Sequence, residues 1–271
     1  ARIIGAKQLE RLGCGSLLGV GQGSPNPTQL LILEYGLSSR RKPPLLFVGK
    51  GVTFDTGGIS IKPASNMHHM KGDMSGAAAV IGALQACADL KVPYPVVGIT
   101  PLVENMPDGK AQRPGDIVTS MSGLTIEVLN TDAEGRLALA DAITYGHRYK
   151  PAAIFDIATL TGSCAAALWD SAAGLFTEDA GLTSAVRDAS KKADELTWPM
   201  PMWESLKKSM DSDTADLKNL SEISGAGAST AAIFLSRFSA PYRWAHIDMA
   251  GPMWSSPSVL SPIKGATGYG A

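Results

Sequence analysis

The chain has 271 residues, enough to bury a sizeable core as one α/β domain, with two small domains the less favoured division. Its 24 Lys and Arg against 25 Asp and Glu leave a formal net charge of −1, which gives no electrostatic case for nucleic acid or an anionic membrane surface. The longest apolar runs fall short of a membrane span, and nothing at the start reads as a signal peptide.

Along the chain, short apolar β-branched runs alternate with helical patterns, which argues for a largely parallel sheet covered on both faces. The first clear strand is LLFVG (45–49), which runs into the glycine-rich turn of VGKGVTFDTGGISIK (48–62). A helix is expected over 74–90, rich in Gly and Ala and so suited to close packing on the sheet. PVVGIT (95–100) is the next strand, and 101–116 reads as a loop long enough to be functional or mobile. TIEVLN (125–130) and AAIFDIATL (152–160) are further strands, with a helix over 137–149 between them. Later helices are expected over 182–196, with Lys191, Lys192 and Asp194 on a wet face, and over 229–239, with a core strand at WAHIDMAG (244–251). The fold class implied is α/β, three layers α/β/α with a central mostly parallel mixed sheet. Cys14, Cys87 and Cys164 are odd in number and lack CxxC pairing. They read as buried thiols of a reducing compartment, so a cytoplasmic location is expected.

The residues that carry chemistry gather in three segments. In NTDAEGRL (130–137), Asp132 and Glu134 stand one residue apart ahead of a helical run, with Arg136 on the same alternation. Alone, Asp-x-Glu would read as a solvated turn with an acidic helix cap. The segment 48–62 adds Lys50, Asp55 and Lys62, and NMHHMKGDMSGAAAV (66–80) adds Asp73. Ligands in open parallel sheets collect beyond the carboxyl ends of strands. Lys50 follows one strand, Asp132 follows another and Thr159 to Gly162 ends a third, so the segments should meet at one sheet edge. Four carboxylates buried together would protonate or repel, whereas two divalent cations would balance Asp55, Asp73, Asp132 and Glu134. An oxygen-rich set suits Mn²⁺ or Mg²⁺ as readily as Zn²⁺. A competing reading takes VGKG and TGGIS as phosphate-binding nests, but neither G-x-x-x-x-G-K-[ST] nor G-x-G-x-x-G is present.

These segments, together with ENMPDGKAQRPGD (104–116), ATLTG (158–162) and WAHIDMAG, resemble the cytosol leucine aminopeptidase family of two-metal exopeptidases, from about Gly13 to Gly270. The resemblance implies a leucyl aminopeptidase: a metal-dependent hydrolase that releases N-terminal leucine and other apolar residues from peptides. It implies one metal, zinc or manganese, on Asp55, Asp132 and Glu134, and a second on Lys50, Asp55, Asp73 and Glu134. Lys50 must lose its proton to serve there. Lys62 is implied as the cation that stabilises the oxyanion. Arg136 is implied as the anchor of a bicarbonate general base, with a structural pairing to Glu134 or Asp132 as its alternative role. Asp73 also takes the substrate's amine, and Met70, Thr159, Leu160, Gly162, Ala250 and Met253 are implied to line the side-chain pocket. His68 and His69 then count as supporting or surface residues, and His147 and His246 as packing. A homohexamer is implied, in which Trp254 could meet another subunit; the other possibility is that Trp198, Trp203 and Trp254 are plain core. Residues 1–271 are expected to form a single metallo-aminopeptidase catalytic domain, a fragment without the family's N-terminal domain and closing helix. The alternative function is a non-catalytic scaffold or assembly subunit retaining this fold.

Overall fold

Alternating apolar residues form a nine-stranded sheet in the computed structural model, which describes residues 1–37, 42–255 and 264–271. In chain order the first elements are β1 (Arg2–Gly5), α1 (Ala6–Arg11), α2 (Gly15–Val20), β2 (Gln29–Tyr35), β3 (Leu45–Gly49), β4 (Gly51–Asp55), α3 (Ser75–Asp89) and β5 (Val96–Asn105). Next come β6 (Ile117–Thr119), β7 (Thr125–Glu127), α4 (Glu134–Gly146), β8 (Ala153–Ala158), α5 (Gly162–Leu168), β9 (Ala173–Phe176) and α6 (Ala180–Ala193). Then follow β10 (Thr197–Pro199), α7 (Glu204–Lys207), β11 (Leu217–Lys218), α8 (Gly227–Ser239) and β12 (Trp244–Asp248), and last the short pair β13 (Trp254–Ser255) and β14 (Gly265–Ala266). The main sheet runs β1-β2-β5-β3-β8-β12-β9-β10, with β4 beside β5. Its centre is parallel, β4, β5, β3, β8 and β12 all pointing one way, while β2 runs against both its neighbours and β9, with β10 parallel to it, runs against β12.

Alternation along the strands sends side chains into two helical layers. Leu46, Val48 and Ile154 pack with Leu137 and Ile143 of α4 and Phe234 of α8, all fully buried. Ile157 and Val96 pack with Ala79, Val80 and Leu84 of α3, and Phe155 and Ile247 lie under the α6 side with Leu182. The result is the three-layer α/β/α arrangement. Cys14, Cys87 and Cys164 are all free thiols, Cys14 and Cys164 buried and Cys87 partly so. Among the described residues no helix is long and apolar enough to cross a membrane.

Two sequence readings are corrected. The stretch from Pro101 is not loop at its start, because β5 continues to Asn105. Val48 of β3 pairs opposite Ile99 and Gly51 of β4 opposite Leu102, so Pro101 falls where β5 passes from one partner to the next. Its missing N–H breaks no ladder on that side. The strand at 125–130 stops at Glu127 and belongs to a separate small sheet, β11-β7-β6. It ends there because the amides of Leu129 and Asn130 donate to the side chain of Asn219 instead of a ladder. Trp198 and Trp203 are 57% and 65% exposed, so neither is a core residue; Trp254 is half-buried.

Candidate metal centre

The carboxyl ends of the central parallel strands supply most of the site. Lys50 follows β3, Asp55 closes β4, Asn105 closes β5 and Thr159 follows β8. Lys50 is buried because two glycines let neighbouring backbone come close. A Cβ on Gly76, in the first turn of α3, would lie 2.2 Å from the Ile157 carbonyl oxygen and 2.8 Å from the Lys50 nitrogen. A Cβ on Gly135 would lie 2.5 Å from the Lys50 Cε. The Lys50 Nζ donates to Asp73 Oδ1 at 2.9 Å and to the Thr159 carbonyl at 3.0 Å, and lies 2.9 Å from Glu134 Oε1. Thr159 Oγ1 donates to the same Asp73 oxygen at 2.6 Å.

Asp55 is held from both sides. Its Oδ1 accepts from the Gly57 amide at 2.9 Å and from Asn105 Nδ2 at 2.8 Å, and its Oδ2 is 2.8 Å from Lys62 Nζ. Lys62 also pairs with Asp132. The residues expected from sequence therefore converge: ligand oxygens of Asp55, Asp132 and Glu134 lie within 4.8 Å of one another, and Lys50 ties Asp73 to Glu134. The difference from expectation is in the lysines, both of which act here as counter-ions to the carboxylates.

Two ammonium groups against four carboxylates leave the cluster short of positive charge. Burial, then Asp55, pushes the Glu134 carboxyl up to about 8, and burial pushes Asp73 up to about 6. Burial also raises Asp132. Burial alone would lower Lys50 and Lys62, but the surrounding carboxylates outweigh it and hold both above the usual lysine value. The raised carboxyls mark a cluster in which further positive charge would be favourable, and the oxygen-rich donor set with one amine fits divalent metal ions.

Arg136, in the first turns of α4, is 5% exposed. Its Nη1 donates to the Asn219 carbonyl at 2.7 Å, and its Nε has no hydrogen-bond partner among the described residues. Among the described residues it forms no salt bridge with Glu134 or Asp132, and its hydrogen bond goes to the Asn219 carbonyl instead. Burial pushes it down to about 10 against the pull of Glu134 and Asp248. A buried guanidinium without an ion-pair partner is a place for an anion.

The expected pocket residues are only partly gathered. Asp248, fully buried at the end of β12, accepts from the amides of Leu160 (3.1 Å), Thr161 (3.4 Å) and Ala250 (3.2 Å) and from Thr161 Oγ1 (2.6 Å). This stitches Thr159 to Gly162 and Ala250 together beside Asp73. Met70 is half-buried in the short turn Met67–Gly72, and Met253 lies against Gly72. Met253 also lines a cavity of about 320 Å³ with Met249 and Trp254, which neither Met70, Thr159 nor Ala250 enters. His68 is exposed and meets half-buried His69 edge-on, and His69 rests on Trp254; among the described residues neither has a bond to the carboxylates. His246 is fully buried on β12, its Nδ1 2.5 Å from Asp156 Oδ1 and its ring beside Phe176 and Trp244.

Asn105, Asn219 and Asp248 were missed as supporting residues. Asn105 lies in a stretch whose length had marked it as functional, and Asp248 stands in a recognised segment, but Asn219 carries no local signal.

An α/β sheet with a polycarboxylate cluster beyond its parallel strand ends carries an oxygen-rich donor set that could hold a metal ion. The chain belongs to the cytosol aminopeptidase family, whose catalytic domain it matches over residues 1–271. It is 50% identical over 266 residues to a probable cytosol aminopeptidase of Methylobacillus flagellatus, covering 98% of this chain and 53% of that protein. A probable cytosol aminopeptidase of Methylibium petroleiphilum is 52% identical over 266 residues, covering 98% and 54%. That of Nitrosococcus oceani is 48% identical over 268 residues, covering 99% and 52%. The chain thus spans about half the length of these curated relatives.

Proposed function

We propose that this chain is the catalytic part of a metal-dependent aminopeptidase that releases N-terminal residues, leucine and other apolar ones foremost, from peptides. The observation that carries the reading is the meeting of Asp55, Asp132 and Glu134 oxygens within 4.8 Å beside Lys50 and Asp73. Lys50, Asp55, Asp73, Asp132 and Glu134 would hold two divalent ions, zinc or manganese. When bound, such ions supply a water of lowered pKa and polarise the scissile carbonyl.

The chain's own residues do the rest. Asp73, already an acceptor for the Lys50 ammonium, would take the free α-amine of a peptide. An internal peptide bond has no amine to offer, so cleavage is confined to the end of the chain. The Lys62 side chain is 21% exposed and reaches out between Asp55 and Asp132, which suits an ammonium that meets the developing oxyanion. Arg136 would hold bicarbonate, which would supply a general base at the site. Thr159, Leu160, Gly162, Ala250, Met70 and Met253 would border the substrate side chain; flexible thioethers make that boundary apolar and adaptable. Loading requires the Lys50 proton to leave as cations arrive.

Assembly as a homohexamer and a cytoplasmic location belong to the same reading. The exposed Trp198 and Trp203 and the free thiols are compatible with them. The test is the initial rate on leucine amide and on its N-acetylated form, after reconstitution with Mn²⁺ or Zn²⁺. Metal-dependent hydrolysis of the free-amine substrate alone is expected; equal turnover of the blocked substrate would overturn exopeptidase action.

A further inference from the structure

We propose that Asn219 is a positioning residue for the metal centre: one buried side chain, held far from the acidic segment in sequence, fixes the loop that carries Asp132 and leads into Glu134. The proposal rests on the metal-centre reading above.

Asn219 follows β11 and is fully buried. All of its hydrogen-bonding groups are committed to one stretch of chain. Its Oδ1 accepts from the Leu129 amide at 2.8 Å and the Asn130 amide at 3.3 Å. Its Nδ2 donates to the Asn130 carbonyl at 2.7 Å and the Ala133 carbonyl at 3.4 Å. The main chain takes part as well: its amide donates to the Glu127 carbonyl at 2.9 Å, and its carbonyl accepts from Arg136 Nη1 at 2.7 Å.

The segment it holds has no ladder of its own, because β7 ends at Glu127 and α4 begins at Glu134. Between them lie backbone groups that water or a side chain must satisfy. An amide side chain offers an acceptor and a donor at opposite corners, and here it satisfies both ends of the turn. Asn130 adds a local bond, its Oδ1 accepting from the Asp132 amide at 2.7 Å. From the other side Thr131 bridges to the glycine turn, donating from Oγ1 to the Gly57 carbonyl at 2.6 Å while Asn105 donates to its carbonyl at 3.0 Å. Asp132 therefore stands on a loop clamped from two directions. The Asn219 clamp also fixes the only hydrogen bond recorded for the Arg136 guanidinium among the described residues. Groups that hold metal ligands in place without touching the metal typically change its affinity about 10–100-fold when removed.

The experiment compares the parent with Asn219→Ala and Asp216→Ala. Asp216 is exposed and accepts from the Thr125 amide and hydroxyl, so its loss loosens the same segment at the far end of β7 without touching the loop. Two quantities are measured: Mn²⁺ affinity, by competition with a metallochromic chelator, and amide hydrogen exchange of residues 129–133 in metal-free protein. Asn219→Ala is expected to bind Mn²⁺ about 10–100-fold more weakly, with the Leu129 and Asn130 amides exchanging faster while those of β8 do not change. Asp216→Ala should leave both readouts close to the parent. Equal Mn²⁺ affinity in parent and Asn219→Ala would overturn the proposal, as would equal weakening in Asp216→Ala. Should Asn219→Ala fail to fold, Asn219→Asp keeps the size and the acceptor, and its Mn²⁺ affinity is expected between parent and zero; parent-like affinity there overturns the proposal. A parent that binds no Mn²⁺ overturns the metal-centre reading and the proposal together, which the parent alone reveals.

Discussion

At the scale of single residues, the site separates cations that neutralise carboxylates from a cation that waits for an anion. Lys62 lies against Asp55 and Asp132, and its loss removes the group best placed to meet an oxyanion. Lys62→Ala should lower kcat on leucine amide roughly 10²–10³-fold, the scale for deleting one such donor, with metal content retained. Undiminished kcat in that variant would remove Lys62 from the mechanism. Arg136 has no ion-pair partner among the described residues, and its Nε is unsatisfied. Arg136→Ala should slow the reaction less than Lys62→Ala and abolish its response to added bicarbonate. Arg136→Lys keeps the charge but not the two-pronged fork, so the response should return only in part. Rates measured with bicarbonate varied at saturating metal check both, and a parent indifferent to bicarbonate would refute the anchor role. The acidic cluster was legible in the sequence because Asp132 and Glu134 stand one residue apart and Lys50, Asp55 and Lys62 share one short segment. Asn219 was not, because it acts from 89 residues beyond Asn130 and a lone Asn has no pattern to betray it.

At the scale of elements, helix ends decide where the sequence reading was late or early. Helix α6 begins at Ala180 because Asp179 caps it, its Oδ1 accepting from the Leu182 amide at 3.0 Å. The same carboxylate takes two bonds from Arg243, at 2.6 and 3.0 Å. Arg243, with the capped amide, holds Asp179 well below the usual carboxylate range. A carboxyl depressed on folding stabilises the native state above its unfolded value of about 3.9, and that contribution is lost as pH falls through the native value. Asp179→Asn keeps a good cap but not the charge. Its urea midpoint should lie below the parent's at pH 6, with the gap shrinking as pH falls from about 4 toward 2. A gap unchanged across that range would contradict the assignment. Helix α4 starts at Glu134 rather than 137, where a carboxylate favours the first turn. The strand at 125–130 was legible as β but not as a member of a second sheet, since alternation does not say which partner a strand finds.

At the scale of the whole molecule, the parallel centre and the helical cover were legible from apolar runs alternating with helical periods. The antiparallel edge β1-β2 and the reversed β9 were not, because β1 and β9 are only four residues long and the pattern along β2 does not give its direction. Trp169, Trp198 and Trp203 are each more than half exposed, a large aromatic area for a surface. Sedimentation velocity is expected to show a hexamer; a stable monomer across micromolar concentrations would reject self-assembly for this chain. The central claim is that four carboxylates and Lys50 enclose two cations. Anomalous diffraction from crystals grown with Mn²⁺ tests it most directly. Two peaks are expected roughly 3.5–4 Å apart among Asp55, Asp73, Asp132 and Glu134, with Lys50 beside one of them. Diffraction from metal-soaked crystals that leaves this cluster without a peak, its carboxylates still paired to Lys50 and Lys62, would contradict it.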